Sequence, residues 1–258
     1  MPHAPLEITA IPAFSDNYIW LITAGGEACA VVDPGDHQPV LEALERRGLE
    51  LRYILLTHHH ADHVGGMAGL LRHASPEVFG PHDRRIAAVT RRVAEGEVVA
   101  LPALGARFEV LEVPGHTATH IAFHGEGALF CGDTLFSVGC GRLFEGTPEQ
   151  MQDSLDKLAA LPPETRVYCA HEYTRSNCEF ALAVEPGNPD LQRVAHWVRA
   201  QRSAGRITLP GTLATELSAN PFLRTRQPAV VAAAREREPG AAPGASTLGV
   251  IRAWKDGF

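Results

Sequence analysis

One segment, THHHADHVGG at 57–66, holds four histidines and an aspartate within a few residues. It follows a short apolar run that predicts a buried strand. Because alternate residues of an extended chain face the same way, we expect His58 and His60 to point together, with His59 opposite. Histidine is a frequent metal ligand, so this spacing predicts a metal site at the end of the strand.

Asp62 and His63 come next, where the chain turns into a predicted helix. The turn is expected to swing both side chains around the same point in space, so that two pairs of ligands converge. This spacing predicts a dinuclear site, in which His59 is not a ligand. The alternative, a solvated polar loop, gives no reason for the pattern. Asp33, in a turn after an apolar strand, is a candidate hydrogen-bond partner of a ligand.

Three more candidate ligands stand at the ends of later predicted strands, each after a small residue: His116, Asp133 and His171. Strand ends at one edge of a sheet are where α/β proteins build their sites. His120 and His124 are expected to be strand residues, with His120 close enough to support a ligand.

The seven candidate ligands divide into two sets around one shared carboxylate. Asp133 is the expected bridge, because one carboxylate can bind two cations. Imidazoles and carboxylates without a thiolate suit zinc, with iron or manganese as alternatives. Two such metals lie about 3.5–4 Å apart and lower the pKa of a shared water toward about 7. We expect that hydroxide to be the nucleophile, with Asp62 and Asp133 as the catalytic carboxylates. One metal is assigned His58, His60 and His116, and the other Asp62, His63 and His171.

Predicted strands and helices alternate along the first two-thirds of the chain, which is typical of a layered α/β fold. The stretch 107–133 instead predicts antiparallel strands joined by Gly-rich turns. A helix is predicted at 147–161, where Thr147 caps, Pro148 fits the first position and Gln150 completes a capping box. The other predicted strands are 18–23, 27–33, 52–57 and 165–171, and the other predicted helices are 38–48 and 64–73.

After about Thr174 the strand signal fades. A Pro/Gly/Ala-rich segment at 236–247 predicts a loop without regular structure. Helices are predicted at 175–186, 188–205 and 248–258. We therefore expect two domains, a catalytic domain at 1–173 and a helical domain at 174–258.

Composition excludes several classes of protein. The net charge of −7 argues against a general nucleic-acid binder. No apolar run approaches the roughly 18 residues of a membrane span, and the N-terminal segment lacks the pattern of a secretory signal. The five cysteines form no C-x-x-C pair, which favours a reduced, cytoplasmic protein. We expect a monomer that binds neither nucleic acid nor membrane.

The order THHHADH, PGHT, CGD and AHE resembles the metallo-β-lactamase superfamily across about 1–172. The resemblance implies an αββα sandwich, with two mixed sheets inside, helices outside and the metal site at one edge. Because this superfamily is chemically broad, its fold alone does not imply a substrate.

Finer motifs are similar to the glyoxalase II (hydroxyacylglutathione hydrolase) family over essentially the whole chain: FSDNYIWLI, GCGRLFEGTPEQM, HEYT, NPFLR and the tail RAWKD. This similarity implies hydrolysis of S-D-lactoylglutathione, a 2-hydroxyacylglutathione, to D-lactate and glutathione in methylglyoxal detoxification. The family's glutathione contacts correspond to Arg142, Phe144, Tyr173, Arg252 and Lys255. Some members carry lysine at 142 and tyrosine at 144, so here one hydrogen bond of about 0.5–1.5 kcal/mol is expected to be missing.

The charges of the tail fit an anionic substrate. Arg252 and Lys255 are three residues apart, so they share one face of the predicted helix. With Arg142, which follows a Gly-Cys-Gly turn, they are expected to bind the terminal carboxylate of glutathione. The alternative is a pair of solvated surface cations.

Three rival functions remain open from the sequence. The nearest is another hydrolase of the same fold, a lactonase or a β-lactamase. A second is a glutathione-persulfide dioxygenase, which uses one iron. The third is a metal-binding or nucleic-acid-processing protein without this hydrolytic activity.

Overall fold

The computed structural model of the protein describes residues 5–258. The chain divides into two compact units. The first holds the described residues up to Glu112 together with Thr119–Gly132, and the second holds Val113–Ala118 together with Asp133–Phe258. The domain boundary expected near Thr174 stays a prediction.

A mixed six-stranded sheet organises the first unit. Its first three strands pair antiparallel, and the last four run parallel. Most of its central strand residues are fully buried, as continuous apolar runs predict. In order, the strands are β1 (Glu7–Ala13), β2 (Asn17–Thr23), β3 (Ala28–Val32), β4 (Glu50–Leu55), β5 (Glu77–Gly80) and β6 (Arg91–Arg92).

Helix α1 (His37–Arg47) connects two parallel strands, β3 and β4. The Asp36 carboxylate accepts a hydrogen bond from the Gln38 N–H at 3.0 Å, which caps the first turn. Gly48 ends the helix with φ +63°, a conformation that favours glycine. Val40 and Ala43 pack into the core of this sheet, so the predicted helix is confirmed.

The single helix predicted at 64–73 is wrong. The structure has two one-turn helices, α2 (Ala61–Val64) and α3 (Met67–Leu70), on either side of a glycine pair. The Gly66 N–H donates to the Pro34 carbonyl at 3.0 Å, and a Cβ at Gly66 would lie 2.4 Å from that oxygen. The chain bends here because the backbone must pass the turn after β3.

Four antiparallel strands complete the first unit, as the sequence predicts for part of this stretch. The Ile121 N–H donates to the Thr57 carbonyl at 3.0 Å, which joins this sheet to the segment that follows β4. The strands are β7 (Val98–Leu101), β8 (Ala106–Glu112), β9 (Ile121–Gly125) and β10 (Ala128–Gly132).

The second unit is mainly helical. Helix α4 (Pro148–Ala159) has the predicted capping box, with Thr147 and Gln150 bonded reciprocally and Pro148 in the first turn. Its strands are two short pairs, β11 (Leu135–Phe136) with β12 (Gly139–Cys140) and β13 (Arg166–Cys169) with β14 (Gly211–Thr212). Its helices are α4 (Pro148–Ala159), α5 (Thr174–Val184), α6 (Pro189–Ser203), α7 (Leu213–Ala219), α8 (Pro228–Arg235) and α9 (Ala245–Asp256).

The predicted loop at 236–247 is partly wrong, because α9 begins inside it at Ala245. Leu248 and Ile251 of this helix are fully buried, so tertiary packing stabilises a helix that starts among weak local signals. Helices α7 and α8 were not predicted either. Across the described residues, no helix is long and apolar enough to cross a membrane.

Candidate metal centre and substrate pocket

The segment after β4 brings the predicted histidines together in the first unit. His58 Nε2 lies 3.1 Å from His60 Nδ1, so both rings present a nitrogen to the same space. His59 instead places its Nδ1 3.7 Å from Asp83, a buried carboxylate whose pKa is held well below its usual range by hydrogen bonds from Arg85. The His120 ring stacks on His58 at 4.5 Å.

Asp33 fixes the orientation of two of these rings. Its Oδ2 lies 3.0 Å from His63 Nδ1 and also accepts the Thr57 hydroxyl at 2.7 Å. Because that hydroxyl hydrogen is already used, His58 Nδ1, 3.0 Å away, must donate to the Thr57 oxygen. Both rings therefore carry a proton on Nδ1 and present the lone pair of Nε2.

The carboxylate of Asp62 is held by Asn17, a residue whose role was not predicted from the sequence. The Asn17 amide donates to Asp62 Oδ2 at 3.0 Å, and His63 Nε2 lies 3.4 Å from the same oxygen. Asn17 is buried at the start of β2. A polar residue opening a buried strand was the only local signal of its role.

The second unit holds the three remaining candidates, with two imidazoles, one on either side of a carboxylate. Asp133 faces His116 Nε2 through Oδ2 and His171 Nε2 through Oδ1, each at 3.4 Å. His116 Nδ1 donates to the Arg142 carbonyl at 2.8 Å, which again leaves Nε2 as the ligand atom. Each oxygen of Asp133 thus has its own imidazole, an arrangement that suits a bridging carboxylate.

The donor atoms of each unit fit divalent metal ions. In the first unit, a ring nitrogen of His58 lies 3.1 Å from one of His60, and His63 Nε2 lies 3.4 Å from Asp62 Oδ2. His58, His63 and His116 each have Nδ1 fixed by an oxygen acceptor, the arrangement that orients zinc-binding histidines. Imidazoles and carboxylates without a thiolate are ligands for zinc, iron or manganese.

A cavity of about 220 Å³ lies within the second unit. Arg252, on α9, is buried, and its Nη1 donates to the Cys140 carbonyl at 2.8 Å. Burial, and then the charge of Arg252, lower the pKa of Lys255 to about 8. The alternative of two solvated surface cations therefore does not describe this pair. The cavity is lined by Phe136, Cys140, Arg142, Tyr173, Asn177, Arg252, Lys255 and Asp256.

The two aromatic residues predicted to contact the substrate, Tyr173 and Phe144, lie differently with respect to the cavity. Tyr173 lines the cavity and stacks on the His171 ring at 4.7 Å, which places a cavity wall beside a candidate ligand. Phe144 is not among the lining residues. Its exposed ring meets His116 edge-on at 5.3 Å, with the Arg142 guanidinium 5.9 Å from the ring centre.

A buried polar network holds the turn between β11 and β12, which carries two walls of the cavity. Glu216 accepts from the Val138 N–H at 2.7 Å and from the Ser137 hydroxyl at 3.2 Å. Asn220 and Asn177 donate to carbonyls of the same turn. Burial raises the pKa of Glu216 to about 7, although these hydrogen bonds oppose the shift.

Comparisons with known proteins cover nearly the whole chain. The model of the metallo-beta-lactamase superfamily matches residues 13–171, and that of the hydroxyacylglutathione hydrolase C-terminus matches 172–258. A hydroxyacylglutathione hydrolase from Cupriavidus metallidurans is 54% identical over 98% of this chain and 99% of its own.

Solved structures support the same fold. ETHE1 from Myxococcus xanthus has a TM-score of 0.65 at 23% identity, covering 97% of each chain. TTHA1623, solved in a di-iron-bound form, has a TM-score of 0.52 at 32% identity over 64% of this chain and 91% of its own. With its mixed sheets and C-terminal helical region, the chain is a metallo-β-lactamase-fold enzyme of the thioester-hydrolysing hydroxyacylglutathione hydrolase (glyoxalase II) family.

Proposed function

We propose that this enzyme hydrolyses S-D-lactoylglutathione, and related 2-hydroxyacylglutathiones, to the 2-hydroxy acid and glutathione, in the detoxification of methylglyoxal. The main support for this substrate is the cavity of the second unit, where three cations surround a space that suits an anionic peptide. This cavity lies in the region matched by the family's own C-terminal model, apart from the walls at 136–142.

Seven side chains are proposed to hold two divalent metals, with zinc as the expected metal and iron or manganese as alternatives. Their support is the pair of clusters described above, in which Nδ1 of three histidines is fixed and Asp133 faces two imidazoles. When bound, such metals polarise a carbonyl and lower the pKa of a shared water toward about 7. The ligands are His58, His60, Asp62, His63, His116, Asp133 and His171.

Asp62 and Asp133 are proposed as the catalytic carboxylates. The hydrogen bond from Asn17 fixes the orientation of the Asp62 carboxylate, which would in turn orient the attacking hydroxide. Asp133 places a carboxylate between the imidazoles of His116 and His171, where it would help to hold divalent cations. The leaving thiolate belongs to a group with a pKa near 8.5, so its departure needs no general acid from the protein.

The remote part of the substrate is proposed to bind the cations of the cavity. Arg142, Arg252 and Lys255 attract the terminal carboxylate of glutathione, and Tyr173 and Phe144 contact its peptide. These contacts lie away from the bond that breaks, and their binding energy positions the thioester for attack.

We also propose a cytoplasmic monomer that binds neither nucleic acid nor membrane. Burial raises the pKa of Cys140 to about 11 and of Cys29 to about 12, which keeps both thiols protonated. Size-exclusion chromatography with light scattering tests the monomer, and a stable dimer at micromolar concentration would contradict it.

A substrate panel tests the proposed activity. Purified, metal-loaded protein is assayed with S-D-lactoylglutathione, a homoserine lactone and a β-lactam at equal concentration. Hydrolysis of the thioester should exceed that of the other two by orders of magnitude. Equal or greater turnover of the lactone or the β-lactam would overturn the proposal.

A further inference from the structure

Asp256 connects two arginines that stand far apart in the sequence. Its Oδ1 accepts from Arg142 Nε at 2.9 Å and from Arg252 Nη2 at 3.0 Å. One carboxylate oxygen of the protein therefore lies where two guanidinium groups converge in the cavity. We call this space between Arg142 and Arg252 the two-arginine position.

Arg252 does not depend on Asp256 for its orientation. Its side chain is only 8% exposed, its Nη1 donates to the Cys140 carbonyl, and its guanidinium lies 5.4 Å from the ring centre of Phe222. Asp256 and Arg142 are different, because their side chains are 35% and 51% exposed. The arginine is built into the cavity wall, and the carboxylate that faces it is the movable partner.

The chemistry of the two-arginine position matches the substrate of the proposed function. Paired guanidinium donors select a carboxylate, and they favour it over neutral groups through charge-assisted hydrogen bonds. With Lys255 also lining the cavity, three cations face a single acidic side chain of the protein. The cavity therefore keeps an excess of positive charge even while Asp256 occupies it.

We propose that Asp256 occupies the binding position of the substrate's terminal glycine carboxylate and is displaced when the substrate binds. This inference rests on the proposed glutathione thioester substrate. Asp256 is thus an internal competitor that lowers substrate affinity. Its place in the last turn of α9 allows its side chain to rotate away without a change in the helix.

The cost of displacement is small, because exposed ion pairs contribute little. Removing the competing charge is expected to tighten binding about two- to fivefold. In the opposite hypothesis, Asp256 orients Arg142 for the substrate. Removing the Asp256 carboxylate would then weaken glutathione binding. The two hypotheses differ in the sign of the effect.

The test is calorimetric titration of metal-loaded protein with glutathione and with its C-terminal glycinamide, which lacks the terminal carboxylate. Asp256→Asn should bind glutathione about two- to fivefold more tightly than the wild type. It should bind the glycinamide with unchanged affinity, because that ligand does not compete for the two-arginine position. Asp190→Asn is the matched control, since it removes an exposed, arginine-paired carboxylate that does not line the cavity.

Equal or weaker glutathione binding by Asp256→Asn overturns the inference, and so does an equal gain with the glycinamide. Asp256→Ala must change affinity in the same direction, which guards against an effect of the new amide. Turnover of S-D-lactoylglutathione is measured on the same preparations. If the wild type turns over S-D-lactoylglutathione but Asp256→Asn gains no affinity for glutathione, only this inference is removed. If the wild type neither binds glutathione nor turns over the thioester, the proposed function is removed as well.

Discussion

Asp33 Oδ2 lies 3.0 Å from His63 Nδ1, although thirty residues separate the two in the sequence. Both side chains are buried, and the same oxygen also accepts the hydroxyl of Thr57. A single carboxylate thereby sets the ring orientation of His63 directly and that of His58 through Thr57.

Asp33→Asn should weaken zinc binding about 10- to 100-fold, because an amide cannot accept at both atoms and its NH₂ would face other donors. Asparagine tolerates the φ of +51° at this position, so the backbone should be retained. Competition with a chromogenic chelator measures the affinity. Asp36→Asn is the control, since asparagine also caps α1 well. Wild-type affinity in Asp33→Asn would remove the assigned role.

Lys255 should make substrate capture depend on pH. Its pKa of about 8 means that it loses its positive charge as the pH rises through that value, so one cation of the cavity disappears. The kcat/KM for S-D-lactoylglutathione should then fall above about pH 8, because this quantity reports the free enzyme. Lys255→Arg stays charged over this range and should lack that step. Identical profiles for both proteins would contradict the assignment.

The sequence was enough to predict that certain ligands come together. It was not enough to predict the distant residues that hold the site in place. His58 and His60 follow an apolar strand at alternating positions, and strand period alone is enough to place them together. Asn17 reaches Asp62 across 45 residues, and no local pattern encodes that pairing. The burial of Arg252 likewise depends on the Cys140 carbonyl, 112 residues away.

The same distinction holds for the fold. Helix α4 carries its start signals in its own sequence, so it was predicted with its cap. The break at Gly66 arises from close approach to the Pro34 carbonyl, a long-range contact. Periodicity predicts an unbroken helix wherever such a contact is unknown.

The buried Glu216 should make the protein less stable as the pH rises from about 4.5 to about 7. The folded-state pKa of about 7 exceeds the ordinary 4.5, so in this window the folded protein retains a proton that the unfolded chain releases. The free energy of unfolding should therefore fall across the window, by up to about 3 kcal/mol from this group. Glu216→Gln stays neutral and should lack the decline. Denaturant unfolding at several pH values measures both proteins, with the exposed Glu179→Gln as control, and parallel curves would refute this account.

Phe144→Tyr should lower KM for S-D-lactoylglutathione by about two- to tenfold with kcat unchanged. The ring lies against His116 and beside Arg142, and a hydroxyl there would restore the hydrogen bond expected in other family members. One such bond contributes about 0.5–1.5 kcal/mol. A raised KM would show that the hydroxyl does not reach the substrate.

Metal content and turnover, measured on one purified sample of the wild type and of Asp133→Ala, test the dinuclear thioester hydrolase most directly. The wild type should hold two metal ions per chain and hydrolyse S-D-lactoylglutathione, losing activity with a chelator and regaining it with zinc. Asp133→Ala should lose metal and turnover together, because both its neighbouring imidazoles lose their shared carboxylate. A wild type with a single iron that consumes oxygen with glutathione persulfide, or an Asp133→Ala variant with full metal content and activity, would contradict the account.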